Sequence, residues 1–230
     1  VGAGFAGFAV AGGLAITQEQ RGPYECVVDG GRVYALGATG WLRCLDASDG
    51  GRLLWRRQIC EQVPAWGLWT SPLLVGDLVV TAAPGGLRAF DRHSGQPRWQ
   101  SDRAAGDAAL VLAGAAGMDL IVGSGGSGAS GHDPSTGVVL WRASWPASEV
   151  LAPVAQPLGG GRLLLGGGPS GMRVFDVQAH VGAGGLIAAL LWRSPHLRST
   201  LSGVVAANGF LYGLDDGRLV CIDAATGFRR

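Results

Sequence analysis

Apolar residues in this chain fall in short runs, alternating with polar or small residues, and each run stops at Gly, Pro or Asp. Over 71–100 the runs are Ser71-Pro72-Leu73-Leu74, Asp77-Leu78-Val79-Val80-Thr81, Leu87-Arg88-Ala89-Phe90-Asp91 and Pro97-Arg98-Trp99-Gln100. A two-residue period bounded by turn formers predicts strands, so this stretch reads as four short strands. Helix-length periodicity is absent throughout, and the expected fold class is all-β.

The runs recur with a motif: a small residue, any residue, Asp, two residues, Ser/Thr/Asp, Gly, three residues and Trp. Its clearest copies are Ala89-Phe90-Asp91 through Gly95 to Trp99 and Gly131-His132-Asp133 through Gly137 to Trp141. Cys44-Leu45-Asp46 reaches Trp55 with one extra residue, and Val174-Phe175-Asp176 reaches Trp192 only after an insertion, Val177 to Leu191, that replaces the turn. Cys221-Ile222-Asp223 runs through Gly227 to Arg230, one position before its Trp is due, which sets the expectation of a truncated C-terminus. The Asp positions 46, 91, 133, 176 and 223 are 45, 42, 43 and 47 residues apart. That is the length of one four-stranded propeller blade.

The motif has a physical reading. Asp accepts hydrogen bonds from the backbone of the following turn, Gly supplies positive φ, and Trp buries a large ring between neighbouring sheets. Asp46, Trp55, Asp91, Gly95, Trp99, Asp133, Gly137, Trp141, Asp176, Trp192, Asp223 and Gly227 are therefore the structural repeat positions. The expected organisation is a single partial propeller, with an incomplete blade at 1–28 and blade units at 29–60, 70–103, 104–145, 150–194 and 199–230. An Asp-turn-Trp segment is expected to be missing between Val28 and Asp29.

Composition narrows the function classes. Glycine fills 41 positions, more than twice the usual share of about 7%, without a collagen period, which suits a fold of many tight turns. A net charge of +1 gives no electrostatic attraction to nucleic acid or anionic membrane. Val1 to Ile16 is uncharged but shorter than the roughly 20 residues of a membrane helix, and no basic segment precedes it as in a signal peptide. Cys26, Cys44, Cys60 and Cys221 form no C-x-x-C pair, and His93, His132, His180 and His196 lack ligand spacing, so a metal or disulfide framework is not expected. Two G-x-G-x-x-G stretches, Gly2–Gly7 and Gly123–Gly128, lack the following helix that a dinucleotide site requires.

The A-x-D-x-x-T-G-x-x-x-W pattern resembles the tryptophan-docking repeat of the pyrroloquinoline quinone (PQQ) propeller superfamily, over Asp29 to Arg230. That group includes the quinoprotein alcohol dehydrogenases and the non-enzymatic outer-membrane protein assembly factor BamB. The resemblance implies a ring of seven or eight blades, of which this chain would carry about five. It also implies a periplasmic or cell-envelope location. A quinoprotein dehydrogenase would use a catalytic Asp, a calcium ion held by Glu, Asn and Asp oxygens, and in many members an adjacent Cys-Cys disulfide. This chain has no Cys-Cys, and its only Asn, Asn208, lies in a Gly-flanked turn.

Two groups escape the repeat. Strand pleating would put Thr17, Glu19 and Arg21 on one face, where opposite charges could pair or grip a polar ligand; the competing reading is a solvated edge leading to Gly22-Pro23. Trp66-Gly67-Leu68-Trp69 leads into an inner strand and would place aromatics near the axial end of the blades; the competing reading is packing. Glu19, Arg21, Trp66 and Trp69 are the candidate binding residues for a protein partner or small polar ligand at the axial face. The expected function is a non-catalytic binding or scaffolding propeller without cofactor. The alternative is a piece of a PQQ-dependent dehydrogenase, which would bind PQQ with calcium.

Overall fold

A computed structural model describes residues 9–11, 14–16, 25–63, 67–68, 70–101, 109–125, 127–146, 154–166, 171–180, 185–198 and 203–230. All of its regular elements are strands. The chain divides into two units, residues 1–103 and 104–230.

In the first unit, β1 (Ala9–Ala11) and β2 (Leu14–Ile16) pair as a hairpin. The first blade follows as β3 (Glu25–Asp29), β4 (Arg32–Leu36), β5 (Trp41–Asp46) and β6 (Arg52–Gln58), hydrogen-bonded in that order. The second blade is β7 (Leu73–Val75), β8 (Leu78–Ala83), β9 (Gly86–Asp91) and β10 (Pro97–Gln100). Between these two sheets, Tyr34, Leu36, Leu42, Cys44 and Trp55 pack with Val79, Ala83 and Phe90.

The second unit holds a third blade, β11 (Ala109–Ala115), β12 (Met118–Gly125), β13 (Gly128–His132) and β14 (Val139–Ser144), and a fourth, β15 (Val154–Gly159), β16 (Arg162–Gly166), β17 (Met172–Ala179) and β18 (Leu186–Ser194). A fifth sheet has β19 (Val205–Ala207), β20 (Phe210–Asp215) and β21 (Arg218–Asp223), with Arg229 bridging to Ile222 where a fourth strand runs in the other blades. Its cores join Trp141 and Trp145 to Leu163, Leu165, Phe175 and Val177, and Leu164, Met172 and Val174 to Leu211, Val220 and Ile222. Burying a Leu or Phe side chain contributes about 1.5–3 kcal/mol, so these intersheet layers hold each unit together.

The first blade starts earlier than the sequence pattern implies. Glu25–Asp29 pairs with Arg32–Leu36 from Glu25↔Leu36 to Asp29↔Arg32, with Gly30 and Gly31 at φ 56° and 74° between them. It is the inner strand of the first blade, so that blade begins at Glu25 rather than at residue 29. No segment is missing between Val28 and Asp29: Asp-Gly-Gly between alternating runs is a hairpin turn within one blade.

The insertion after Asp176 lengthens the outer hairpin of the fourth blade, whose ladder extends past Asp176↔Ala189 to Ala179↔Leu186. All four complete blades share one rung. Cys44↔Trp55, Ala89↔Trp99, Gly131↔Trp141 and Val174↔Trp192 are cross-strand pairs, each beside a bulge that leaves Leu54, Arg98, Leu140 or Leu191 unmatched. The bulge absorbs one residue and brings every Trp opposite the small-residue position of its own third strand.

Candidate functional site

The Asp turns account for much of the polar chemistry in the sequence. Asp91 Oδ1 accepts from the backbone N–H groups of His93 (3.0 Å) and Ser94 (2.8 Å) and from Ser94 Oγ (2.9 Å). Asp133 takes the same bonds from Ser135 and Thr136, and Asp223 from Ala225 and Thr226. In the first blade, Asp46 accepts from Ser48. The turn amide of Ser94, helped by the Arg98 guanidinium, holds the Asp91 carboxyl far below the usual carboxylate range. Gly95, Gly137 and Gly227, at φ 69°, 75° and 76°, donate back to the carbonyls of Asp91, Asp133 and Asp223 at 2.8 Å. Asp176 differs: its carboxylate receives the Gln178 side-chain amide within the lengthened hairpin.

The Trp rings belong to the same device. Trp55 Nε1 donates to Arg92 O at 3.1 Å and Trp192 Nε1 donates to Ala224 O at 3.1 Å, in each case the residue after the turn Asp of the following blade. Tyr34 Oη donates to the same Arg92 carbonyl at 3.2 Å. Trp141 behaves otherwise, because the following blade has no such turn. Its indole lies over Gly131 of its own blade, in space a Cβ would fill, and its buried Nε1 finds no acceptor.

The four cysteines are free thiols. Burial pushes the Cys44 thiol up from its ordinary value, so it stays protonated and apolar. Among the described residues no cluster of His, Cys, Asp and Glu could hold a metal ion.

Glu19, Arg21, Trp66 and Trp69 lie outside the described residues. Beside the last two, Leu68 is 5% exposed and donates its N–H to Ala38 O at 3.1 Å.

Three further polar groups lie in the second unit, and sequence reading singled out none of them as a site. The fully buried His132 has Nδ1 3.1 Å from Gly137 O and Nε2 2.8 Å from Ser130 Oγ. A carbonyl can only accept, so Nδ1 carries the proton and Nε2 accepts from the Ser130 hydroxyl. Burial lowers the His132 pKa against the help of the Gly137 carbonyl, with Arg142 adding to the effect, and the ring is neutral.

The second group joins the connection after β18 to the β20–β21 turn. Asp215, 7% exposed, accepts from His196 Nδ1 (3.2 Å), Arg198 N (3.3 Å) and Arg198 Nε (3.1 Å). Arg198 also bridges to Asp216. Burial alone would raise the Asp215 pKa; the hydrogen bonds from Arg198 and His196 outweigh it, so the carboxylate is charged. Leu197, at φ 61°, is held in this turn with 1% of its surface exposed.

The third group is Trp145, Arg173 and Arg193. Arg173 lies over the Trp145 ring, 5.0 Å from its centroid, and pairs across strands with Arg193. The second and third groups share the blade end formed by second-to-third-strand turns and outgoing connections.

The family model described as outer membrane protein assembly factor BamB matches residues 12–230. The chain belongs to the BamB family. Its fold is similar to the crystal structure of BamB from Moraxella catarrhalis, with a TM-score of 0.63 at 17% identity over 89% of this chain and 62% of that one. The computationally designed Ika8 protein is also similar, with a TM-score of 0.58 at 17% identity over 89% of this chain and 59% of that one. No curated protein matches the chain by sequence. At these identities the two structures establish the fold, a partial β-propeller of PQQ-like repeats, and the chain spans about three fifths of the Moraxella BamB length (62%). Within this BamB-family fold, Asp46, Asp91, Asp133 and Asp223 use their oxygens on their own turns, and the Asp215 and Arg173 groups sit together at one blade end.

Proposed function

We propose that this chain is a non-catalytic binding or scaffolding propeller of the bacterial cell envelope, which engages a protein partner through the blade end carrying His196, Arg198 and Asp215. The observation that carries this reading is the BamB family match over 12–230, joined to a polar cluster built on turns and connections, the segments that bind partners in scaffolds of this kind. Five carboxylates are committed: Asp46, Asp91, Asp133 and Asp223 to turn donors, and Asp215 to Arg198 and His196. Tight binding of PQQ with calcium is accordingly not expected, because calcium needs several converging oxygens.

Two measurements test the reading. A photoreactive residue at His196, in the protein exported to a bacterial periplasm, should give one discrete adduct with an outer-membrane assembly component, while the same probe at Ser48 should not. Adducts equal at both positions would refute a partner-binding end. Calorimetric titration with PQQ and calcium should be flat, and a saturable submicromolar signal would favour the dehydrogenase reading instead.

A further inference from the structure

The third residue before the turn Asp is Arg in three of the five copies: Arg43, Arg88 and Arg173. Its cross-strand partner is Arg56 for Arg43, Gln100 for Arg88 and Arg193 for Arg173. In the second blade, Arg88 reaches the preceding sheet and its Nη1 donates to the carbonyl of Ile59, four residues after Trp55. Arg173 reaches the corresponding place, four residues after Trp141, but meets the ring of Trp145 there. Its Nη1 is buried without an acceptor, and so is Trp145 Nε1.

Two cationic side chains thus share a rung with no acidic partner among the described residues. Arg52, Arg92, Arg98, Arg198 and Arg230 pair with described carboxylates, whereas neither Arg173 nor Arg193 does. Burial, with Arg193 opposite, lowers the Arg173 pKa, as expected where a charged form lacks a counterion. Gly166, at φ 125°, borders this group: a Cβ there would come 3.5 Å from Arg173 Nη1. Every orphan atom is an N–H donor, so the missing partner is an acceptor carrying negative charge.

We propose that Arg173, Arg193 and Trp145 form a binding site for a carboxylate presented by an acidic segment of a partner protein. A guanidinium stacked on an indole keeps its in-plane N–H groups for a planar acceptor, and a carboxylate takes two of them in parallel. Arg193 is exposed and Arg173 half-buried, which suits a side chain delivered from outside rather than an enclosed metabolite. The site lies at the same blade end as the Asp215 cluster, so this inference rests on the partner-binding reading and names the chemistry it would use.

The test uses the 230-residue chain and three probes in low salt: a capped hexaglutamate peptide, the matching hexaglutamine peptide, and inorganic phosphate. The glutamate peptide should bind saturably, weaken as salt rises, and lose about tenfold in affinity in Arg193→Gln, a fold-change typical of one charged hydrogen bond. Arg173→Lys, which keeps the charge but not the fork, should weaken binding too, while the exposed Arg218→Gln should not. Melting temperatures check that each variant is folded, and the exposed Arg193 is the variant least coupled to folding. Binding unchanged in folded Arg193→Gln, or equal affinity for phosphate, overturns the carboxylate site. Its failure with the His196 adduct intact would refute this site alone; loss of the adduct with peptide binding intact would refute the envelope partner reading alone.

Discussion

Trp55 lies so close on Gly95 of the adjoining sheet that a Cβ at Gly95 would come within 2.7 Å of Trp55 Cδ2. The same relation holds between Trp192 and Gly227, at 2.6 Å. Glycine is required at these turns twice over, for positive φ and for the ring above it.

Gly95→Ala should therefore cost about 1–3 kcal/mol, combining left-handed strain with overpacking. Gly30→Ala, at φ 56° with open space around it, should cost only the backbone part, about 1 kcal/mol. Urea denaturation compares them, and equal losses would show that the ring adds nothing. Trp55→Ala should cost about 3–5 kcal/mol at 8% exposure, and the half-buried Trp99 less.

His132 predicts a pH dependence near neutrality. Its folded pKa lies below the ordinary imidazole value of about 6.5, so below that pH the unfolded chain takes a proton that the native chain refuses. Its contribution to stability is complete above about pH 6.5 and is lost as pH falls toward the folded value. The midpoint of thermal unfolding should drop between pH 7 and 5, and the drop should shrink in His132→Asn. An unchanged slope in a folded variant would assign the effect elsewhere.

Asp91 acts in a separate window. Its folded pKa is depressed, so its contribution is present above the ordinary carboxylate value of about 3.9 and is lost only as pH falls below it. Asp91→Asn should lower stability at pH 7 and reduce the acid sensitivity below pH 4. Melting curves from pH 2 to 7 read both effects.

The fifth sheet repeats rungs of the first with a different environment. Tyr34↔Cys44 and Leu36↔Leu42 recur as Tyr212↔Cys221 and Leu214↔Leu219. Leu42 is fully buried by the second blade, whereas Leu219 is 73% and Leu214 39% exposed. Leu42→Ala should cost about 2–5 kcal/mol, while Leu219→Ala should stay within about 0.5 kcal/mol. An exposed apolar sheet face favours association, so Leu219→Arg should reduce concentration-dependent light scattering by the purified chain.

The blade repeat was legible in the chain because its determinants are local. Asp, Ser or Thr, and Gly satisfy one another within a few residues, and two-residue alternation fixes which side of a strand is apolar. The strands read over 71–100 match β7 to β10 within two residues. The blade to which Glu25–Asp29 belongs is not legible in the sequence, because an Asp-Gly-Gly turn carries no record of it; only the ladder to Arg32–Leu36 decides that. Trp141 reads like the other repeat tryptophans, yet its ring lies on its own blade, since Gly131 empties the space and the fourth blade lacks the turn that would receive it. Glu19, Arg21, Trp66 and Trp69 stood out by departing from the repeat. Arg173 and Arg193 obeyed it, and they become a site only through a bulged register that joins residues 20 apart in sequence and through the indole of a neighbouring sheet. Local chemistry writes turns and strands into sequence, but which charges finish opposite each other without a counterion depends on pairing and packing over distance.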